Sequence, residues 1–211
     1  MMLLVLNATM LAVFIPTFIF VSVTPGMCMT LSMTLGMTVG VKRTLWMMAG
    51  ELIGVGLVIV LSMIGVAAIL IKYPSLFIAL KWGGGLYLAY IGFEMWRSRG
   101  RLALQECSDS VVDVSRLSLA IQGFITAIAN PKGWAFFIAL LPPFLDQTLP
   151  LAPQLTILLV IILTIEFFSL LVYAYGGQSL SHLLQKRSNV RLMNRIAGTL
   201  MFGVALWLIL G

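Results

Sequence analysis

Charged residues are scarce in this chain of 211 residues: 9% are Asp, Glu, Lys or Arg, whereas 61% are hydrophobic. Soluble domains carry about 25% charged residues, so a soluble fold of this size could not bury so much apolar surface. Several apolar runs also exceed the roughly 20 residues with which a helix crosses a bilayer. The composition therefore predicts an integral membrane protein and excludes a soluble domain.

Residues for chemical catalysis are scarce as well. The two cysteines, Cys28 and Cys107, offer neither a disulfide framework nor a CxxC motif. His182 is the single histidine, and we find no nucleophile–base pair and no GxxxxGK[ST] loop for ATP phosphates. We therefore expect neither an enzyme nor an ATP-driven pump, and we expect no cofactor and no resident metal.

The net charge of +6 does not indicate a nucleic-acid partner, because the basic residues lie in short loops between apolar segments. Ten of the 13 basic residues lie in alternate loops, at 42–43, 97–116 and 186–195, which the positive-inside rule places in the cytoplasm. The N-terminus lacks the basic start of a signal peptide, so we expect its apolar run to be retained as the first helix.

Six apolar segments divide into two sets of three around a polar linker at 97–117. We expect all six to be helices, because only internally hydrogen-bonded backbone is stable in hydrocarbon. They lie at about 6–41, 44–71, 75–96, 118–145, 153–176 and 194–211. This predicts a single transmembrane domain over 1–211, with repeat one at about 6–96 and repeat two at about 118–211.

The first apolar segment, 6–41, is too long for one ordinary span and is interrupted at Pro25-Gly26. It can form one broken span, a span with a re-entrant element, or two short spans. These alternatives place the N-terminus on different sides of the membrane, and the sequence leaves them open.

The two halves share an ordered set of features. Segment one is broken at Pro25-Gly26 and segment four at Asn130-Pro131, while segments two and five each carry one glutamate. Three helices per half place the two copies in opposite orientations. The pattern therefore predicts two inverted three-helix repeats, the plan of many secondary transporters, with chance matches in an apolar sequence as the alternative.

Three ionisable residues lie within apolar runs: Glu51, Lys132 and Glu166. Each charge costs about 2.5–3.5 kcal/mol near the bilayer centre on insertion scales, so we expect them to pair, bind substrate or transfer protons. The helix that restarts after each break has free N–H groups and a partial positive charge at its start. Such a site suits a zwitterion, with its carboxylate at the breaks and its ammonium near a glutamate; an internal ion pair and simple proline kinks are the structural alternatives.

The stretch MTLSMTLGMTVG at 29–40 repeats every four residues, so its Met, Thr, aliphatic and small residues each form a stripe along a helix. We expect the aliphatic stripe to face lipid and the small stripe to make close helix contacts. Cys28 and the Met stripe are also soft ligands suited to Cu(I). Export of a soft metal or of another small molecule is therefore a second interpretation.

These motifs resemble the LysE/RhtB family of bacterial amino-acid exporters, most of all its leucine-exporter branch. The resembling stretches cover nearly the whole chain. They are VTPGMCMTLSMTLGMTVGVKRTLWMMAGELIGVGL, KWGGGLYLAYIGFEMWRS, NPKGWAFFIALLPPFL and TIEFFSLLVYAY. The resemblance implies a multi-pass protein of the bacterial inner membrane that exports a small neutral amino acid (leucine-, threonine/homoserine- or methionine-like) by proton antiport. Its partners would be that amino acid, protons and lipid, and a homo-oligomer is compatible with it.

The candidate site combines the two breaks with the membrane-embedded acids. Its substrate-binding residues are Pro25, Gly26, Met27, Cys28, Glu51, Asn130, Pro131, Lys132 and Glu166. Glu51 and Glu166 are the candidates for proton coupling. The chain departs from the family at Met27 and Cys28, where the family usually has Pro and then often Asn or Asp, and this departure leaves the substrate open.

Overall fold

The computed structural model describes residues 8–72, 74–97, 115–141, 144–145, 149–177 and 186–210. These residues contain eight α-helices, which we number in chain order. They are α1 (Ala8–Val23), α2 (Met27–Thr38), α3 (Val41–Lys72), α4 (Pro74–Arg97), α5 (Arg116–Ile128), α6 (Pro131–Leu140), α7 (Leu151–Tyr175) and α8 (Arg187–Leu210). The chain is an all-α membrane protein, as its composition predicts.

Within the described part of the chain, two helices are long and apolar enough to cross a membrane: α3, over Val41–Gly65, and α7, over Leu151–Tyr175. α1 and α2 meet the same criterion as a pair bent by 55°, so the described residues hold two candidate spans, or three with this pair. The first apolar segment is therefore broken where its proline-glycine interruption predicts. The six-helix inverted repeat stays a prediction, as does the linker, of which residues 98–114 lie outside the described ranges.

The first break lies between α1 and α2. Pro25 has no N–H with which to continue α1, and the hydroxyl of Thr24 donates to the carbonyl of Phe20 at 2.6 Å. Gly26 is extended, with φ −143° and ψ −175°, and its carbonyl accepts the N–H of Thr30 at 2.9 Å. The first N–H groups of α2 therefore have no partner within their own helix.

The second break lies between α5 and α6. Proline is favoured at the first position of a helix, where its missing N–H would have no partner, and α6 begins at Pro131. The indole N–H of Trp134 donates back across the break to the carbonyl of Ile128 at 2.8 Å. This bond satisfies a carbonyl that the interrupted helix would otherwise leave without a donor.

Glycines bring several helices into backbone contact. A side-chain carbon on Gly123 of α5 would overlap the backbone of Met47 on α3. α4 and α8 meet in the same way, where Gly92 and Gly198 lie against each other's carbonyls. Small residues thus set the helix spacing, as is common where helices associate in lipid.

The small stripe of α2 makes the close contact that its sequence predicts. A side-chain carbon on Gly36 would overlap the backbone of Ala174 on α7. One turn earlier, the hydroxyl of Ser32 is fully buried and donates to the carbonyl of Leu170 at 2.8 Å. This face of α2 therefore packs directly against α7.

The expectation that the aliphatic stripe faces lipid is wrong. Leu31 and Leu35 are buried in a core cluster that also contains Met29 and Met33, whereas Met37 is exposed. The physical reason is that α2 is short and packs against α3, α5 and α7, so nearly its whole circumference is covered.

Candidate functional site

A cavity lies between the two breaks of the chain. Its volume is about 60 Å³, on a scale where one enclosed water takes roughly 10–15 Å³, so it has room for about four to six water-sized groups. It is lined by Phe18, Val21, Ser22, Thr24, Gly26, Cys28, Met29, Glu51, Val55, Val58, Ala127, Asn130, Gly133, Phe136, Phe137 and Glu166. Both broken helix pairs thus contribute to one cavity, which combines two acids with many apolar side chains.

This cavity brings together five of the nine residues that the sequence singles out. They are Gly26, Cys28, Glu51, Asn130 and Glu166.

Of the other four candidates, Pro25 and Met27 do not line the described cavity. Pro25 is half-buried at the first break, and Met27 points outward with 39% of its surface exposed. Pro131 and Lys132 begin α6 by their backbone, and their side chains lie outside the described part of the structure.

Glu51 is the most deeply buried acid of the described residues. It belongs to α3, has an exposed fraction of 0%, and lines the cavity. Neither of its carboxyl oxygens has a hydrogen-bond partner within the described residues. Glu166 from α7 and Cys28 from α2 lie near enough to interact with it electrostatically, so two acids from different helices meet in one cavity.

Glu166 has a different environment from Glu51. Its Oε2 accepts the hydroxyl of Ser22, on α1, at 2.5 Å. A second hydroxyl, that of Ser169, lies 3.0 Å from the oxygen of Ser22. Both serines are buried, and together they tie the acid of α7 to the end of α1.

The two breaks also touch each other through side chains. The amide nitrogen of Asn130 lies 3.9 Å from the sulfur of Cys28, within the range of a weak hydrogen bond to sulfur. Cys28 lies in the first turn of α2, where free N–H groups and the helix dipole favour an anion. A ligand carboxylate would thus have backbone donors on the α2 side of the cavity.

The remaining walls are apolar and largely aromatic. Phe18 lies 5.6 Å from Phe136 and 6.3 Å from Phe137, measured between ring centroids. Val55 and Val58, on the same helix as Glu51, complete this side. The cavity therefore combines a polar end with an apolar end, as binding sites for small molecules commonly do.

The sequence analysis did not single out several side chains that lie at or near the cavity. Ser22 and Thr24 lie just before the first break, and Tyr173 donates its hydroxyl to the carbonyl of Val23 at 2.8 Å. Serine and threonine are common in apolar helices, where their hydroxyls often bond their own backbone. The sequence signal for Ser22 and Thr24 is their position just before Pro25. A break in a helix leaves nearby backbone groups free, and hydroxyl side chains can bond to them.

The described residues do not support the interpretation that the chain exports a soft metal, because they add no further set of soft ligands to Cys28 and Met29. Cys28 and Met29 line the cavity, but Met33 packs in the core and Met37 is exposed. The methionines of the stripe therefore do not line one passage. Among the described residues, no group of three or more His, Cys, Asp or Glu side chains is placed so that it could hold a metal ion.

Broken helices whose ends meet at a polar, acid-bearing cavity are the arrangement of a membrane transporter. The comparison with known families agrees: the chain belongs to the LysE type translocator family, whose model matches residues 19–211. It is therefore a transporter and not an enzyme, and the family resemblance of its motifs is confirmed.

Similar proteins include both characterised and uncharacterised ones. An uncharacterized membrane protein of Vibrio cholerae is 27% identical over 187 residues, 89% of this chain and 90% of that protein. The homoserine/homoserine lactone efflux protein of Salmonella typhi is 28% identical over 152 residues, 72% of each chain. The leucine efflux protein of Salmonella choleraesuis is 26% identical over 193 residues, 89% of this chain and 88% of that protein. No solved structure matches the chain.

Proposed function

We propose that this translocator exports a small neutral amino acid from the bacterial cytoplasm across the inner membrane, in exchange for protons. The observation that carries the proposal is the cavity between the breaks, which the fully buried Glu51 and the half-buried Glu166 line together with the start of α2. Relatives named for the efflux of homoserine and of leucine support an amino acid as the substrate.

The polar end of the cavity suits the main-chain groups of an amino acid. The free N–H groups around Cys28 would bind the carboxylate, with Asn130 beside them. The sequence assigns Lys132 to the same task, as a full positive charge at the start of α6. Glu51 or Glu166 would bind the ammonium, since a buried acid and a cation compensate each other's charge.

The apolar end suits a short, uncharged side chain. Phe18, Phe136, Phe137 and two valines surround it, and they offer no charge to a lysine- or arginine-like substrate. The cavity has room for only about four to six water-sized groups. Leucine, methionine, threonine and homoserine are therefore the candidates, and the larger ones require the walls to move apart.

The presence of two acids, where one would suffice to hold an ammonium, supports exchange with protons. A carboxyl that is buried at membrane depth can carry a proton in one direction and release it on the other side. The two halves of the chain would move relative to each other around the cavity, as in other transporters with broken helices. Basic loops at 42–43, 97–116 and 186–195 would face the cytoplasm.

The proposal is tested by efflux from bacterial cells that express the chain. Cells are preloaded with dipeptides that release leucine, methionine, threonine, cysteine or lysine, or with homoserine, and external amino acid is measured over time. We expect faster release of one neutral amino acid, and we expect a protonophore to abolish the difference. Lysine serves as the charged control.

Substitutions of residues assigned to the site test whether the efflux depends on the cavity. Glu51→Gln and Lys132→Ala should each reduce the export rate at least about tenfold, the scale of losing one charged contact. Ile53→Leu is the matched control, because Ile53 lies on α3 near Glu51 but is 66% exposed. Unchanged release of every amino acid, or full export by a Glu51→Gln, Glu166→Gln double variant, would overturn the proposal.

A further inference from the structure

The two acids of the cavity have unlike surroundings, although they lie side by side. Glu166 accepts a hydroxyl from Ser22 at 2.5 Å, and Ser169 lies behind that hydroxyl at 3.0 Å. Glu51 is fully buried, and within the described residues no hydroxyl or N–H donates to either of its oxygens; its polar neighbours are the Cys28 thiol and Glu166 itself. This asymmetry is independent of the substrate's identity.

We propose that Glu51 and Glu166 form one acidic pair that holds a proton when empty and the substrate's ammonium when loaded, and that Ser22 assigns the roles within it. Glu166 is the member that stays ionised and binds the ammonium. Glu51 is the member that binds and releases the proton. The inference rests on the proposed function and names the groups that perform its proton exchange.

The hydrogen-bond geometry supports the assignment of Glu166. A distance of 2.5 Å is in the range for a hydroxyl that donates to an ionised carboxylate, which is roughly 2.5–2.7 Å. Ser22 has one proton to donate. Because it donates to Glu166, the hydroxyl of Ser169 is left to donate to Ser22, and the two serines together stabilise a negative charge on Glu166.

The burial of Glu51 supports its role as the proton carrier. An ionised carboxylate that no hydroxyl, N–H or cation stabilises is costly to bury, so such a group tends to take up a proton instead. Two carboxylates in one site also oppose each other's ionisation. Around Glu51, α7 contributes Glu166 and α2 contributes Cys28; α5 and α6 add no ionisable lining side chain among the described ones, and Lys132 on α6 lies outside them.

In this scheme, binding of the substrate does not change the total charge at the pair of Glu51 and Glu166. The empty pair carries one negative charge and one proton. An arriving ammonium meets Glu166 and offsets that charge, which lets Glu51 release its proton to the solvent. The loaded pair carries two negative charges beside one positive charge, so one proton leaves for each amino acid that binds.

The first test counts protons on the purified protein in detergent. Wild type is mixed with L-leucine, L-methionine, L-threonine or L-homoserine in weak buffer at neutral pH, and released protons are read with a pH dye. For any amino acid that binds, we expect about one proton per molecule bound. Glu51→Gln, which has no proton to release, should bind with release near zero, and Glu166→Gln should bind at least about tenfold more weakly.

The second test concerns Ser22 as a positioning residue. Ser22→Ala removes the donor to Glu166, so protons should compete better with the ammonium there. We expect the acid side of the binding–pH curve to move up by about one pH unit, equivalent to a tenfold loss of affinity at low pH. Ser22→Thr keeps the hydroxyl and should restore the curve.

Ser62→Ala is the matched control for this shift. Ser62 is a buried serine on α3 whose hydroxyl has no hydrogen-bond partner among the described residues, and it does not line the cavity. Its variant should bind as wild type does at every pH. A Ser22→Ala curve that coincides with that of Ser62→Ala would overturn the role of Ser22.

The outcomes separate this inference from the proposed function. Wild type that binds none of the four amino acids contradicts the proposed function, and the inference with it. Wild type that binds one of them with no proton release contradicts the inference alone, as does undiminished release by Glu51→Gln. If Glu51→Gln does not elute as a folded protein, the proton count of the wild type still decides.

Discussion

Gly123→Ala should disturb the acidic pair from outside the cavity. A side-chain carbon on Gly123 would lie 2.9 Å from the backbone nitrogen of Glu51 and overlap the carbonyl of Met47, whereas ordinary contact begins at 3.4 Å. Moving from 2.9 to 3.4 Å requires α3 and α5 to separate by at least 0.5 Å at Glu51. Overpacking of this kind costs about 1–3 kcal/mol.

Gly65→Ala is the matched control for Gly123→Ala. A side-chain carbon on Gly65, in α3, would meet nothing within 4 Å. Both variants gain the same helix propensity, about 0.8–1.0 kcal/mol, so the difference between their stabilities isolates the steric cost at Gly123.

The assay is thermal unfolding in detergent, followed by tryptophan fluorescence, with amino-acid efflux measured in parallel. We expect Gly123→Ala to unfold several degrees below Gly65→Ala. Its efflux should fall about tenfold, since a displacement of 1 Å in a site can cost a factor of about 100. Equal unfolding temperatures and equal efflux for the two variants would refute the reasoning.

Two further predictions concern bonds that hold the breaks. Tyr173→Phe removes the donor to the carbonyl of Val23 and should lower stability by about 1 kcal/mol, visible as a lower unfolding temperature in detergent; an unchanged temperature would show that the bond is dispensable. Trp134→Phe removes the donor to Ile128 and should destabilise by a similar amount, whereas Trp82→Phe, at a half-exposed position of α4, should not; equal effects of both tryptophan variants would contradict this account of the second break.

The helical class and the two breaks follow from the sequence for a simple reason. An apolar chain in lipid must satisfy its backbone internally, and proline removes a helical hydrogen bond. The Pro25-Gly26 and Asn130-Pro131 pairs therefore indicate the interruptions, whereas the lone Pro16 lies within α1. The same argument singles out Glu51 and Glu166, because a membrane-embedded acid is costly wherever its helix lies.

The faces of α2 were harder to assign. The four-residue repeat establishes which residues share a stripe, but not which neighbour covers that stripe. Ser32 and Gly36 contact α7 as their small size predicts, whereas Leu31 and Leu35 are buried rather than lipid-facing. Leucine suits lipid and a protein core equally well, so composition alone could not decide.

The serines of the acidic pair could not be predicted at all. Ser22 and Glu166 are 144 positions apart, and their contact depends on how α1 and α7 pack. Serine is also common in apolar helices, so its presence there does not by itself indicate a functional residue. The sequence does not reveal this tertiary contact between Ser22 and Glu166. The contact gives Glu166 different surroundings from Glu51, although both are glutamates in apolar helices.

The most direct measurement of the central claim is transport by the purified protein in lipid vesicles. Radiolabelled leucine, methionine, threonine and homoserine are supplied outside, with an imposed pH gradient, for wild type and Glu51→Gln. We expect wild type to accumulate one of them against its concentration gradient only when the vesicle interior is acidic, and Glu51→Gln to lose this accumulation. Accumulation of none by wild type, or undiminished gradient-driven accumulation by Glu51→Gln, would contradict a proton-coupled amino-acid exporter that works through this cavity.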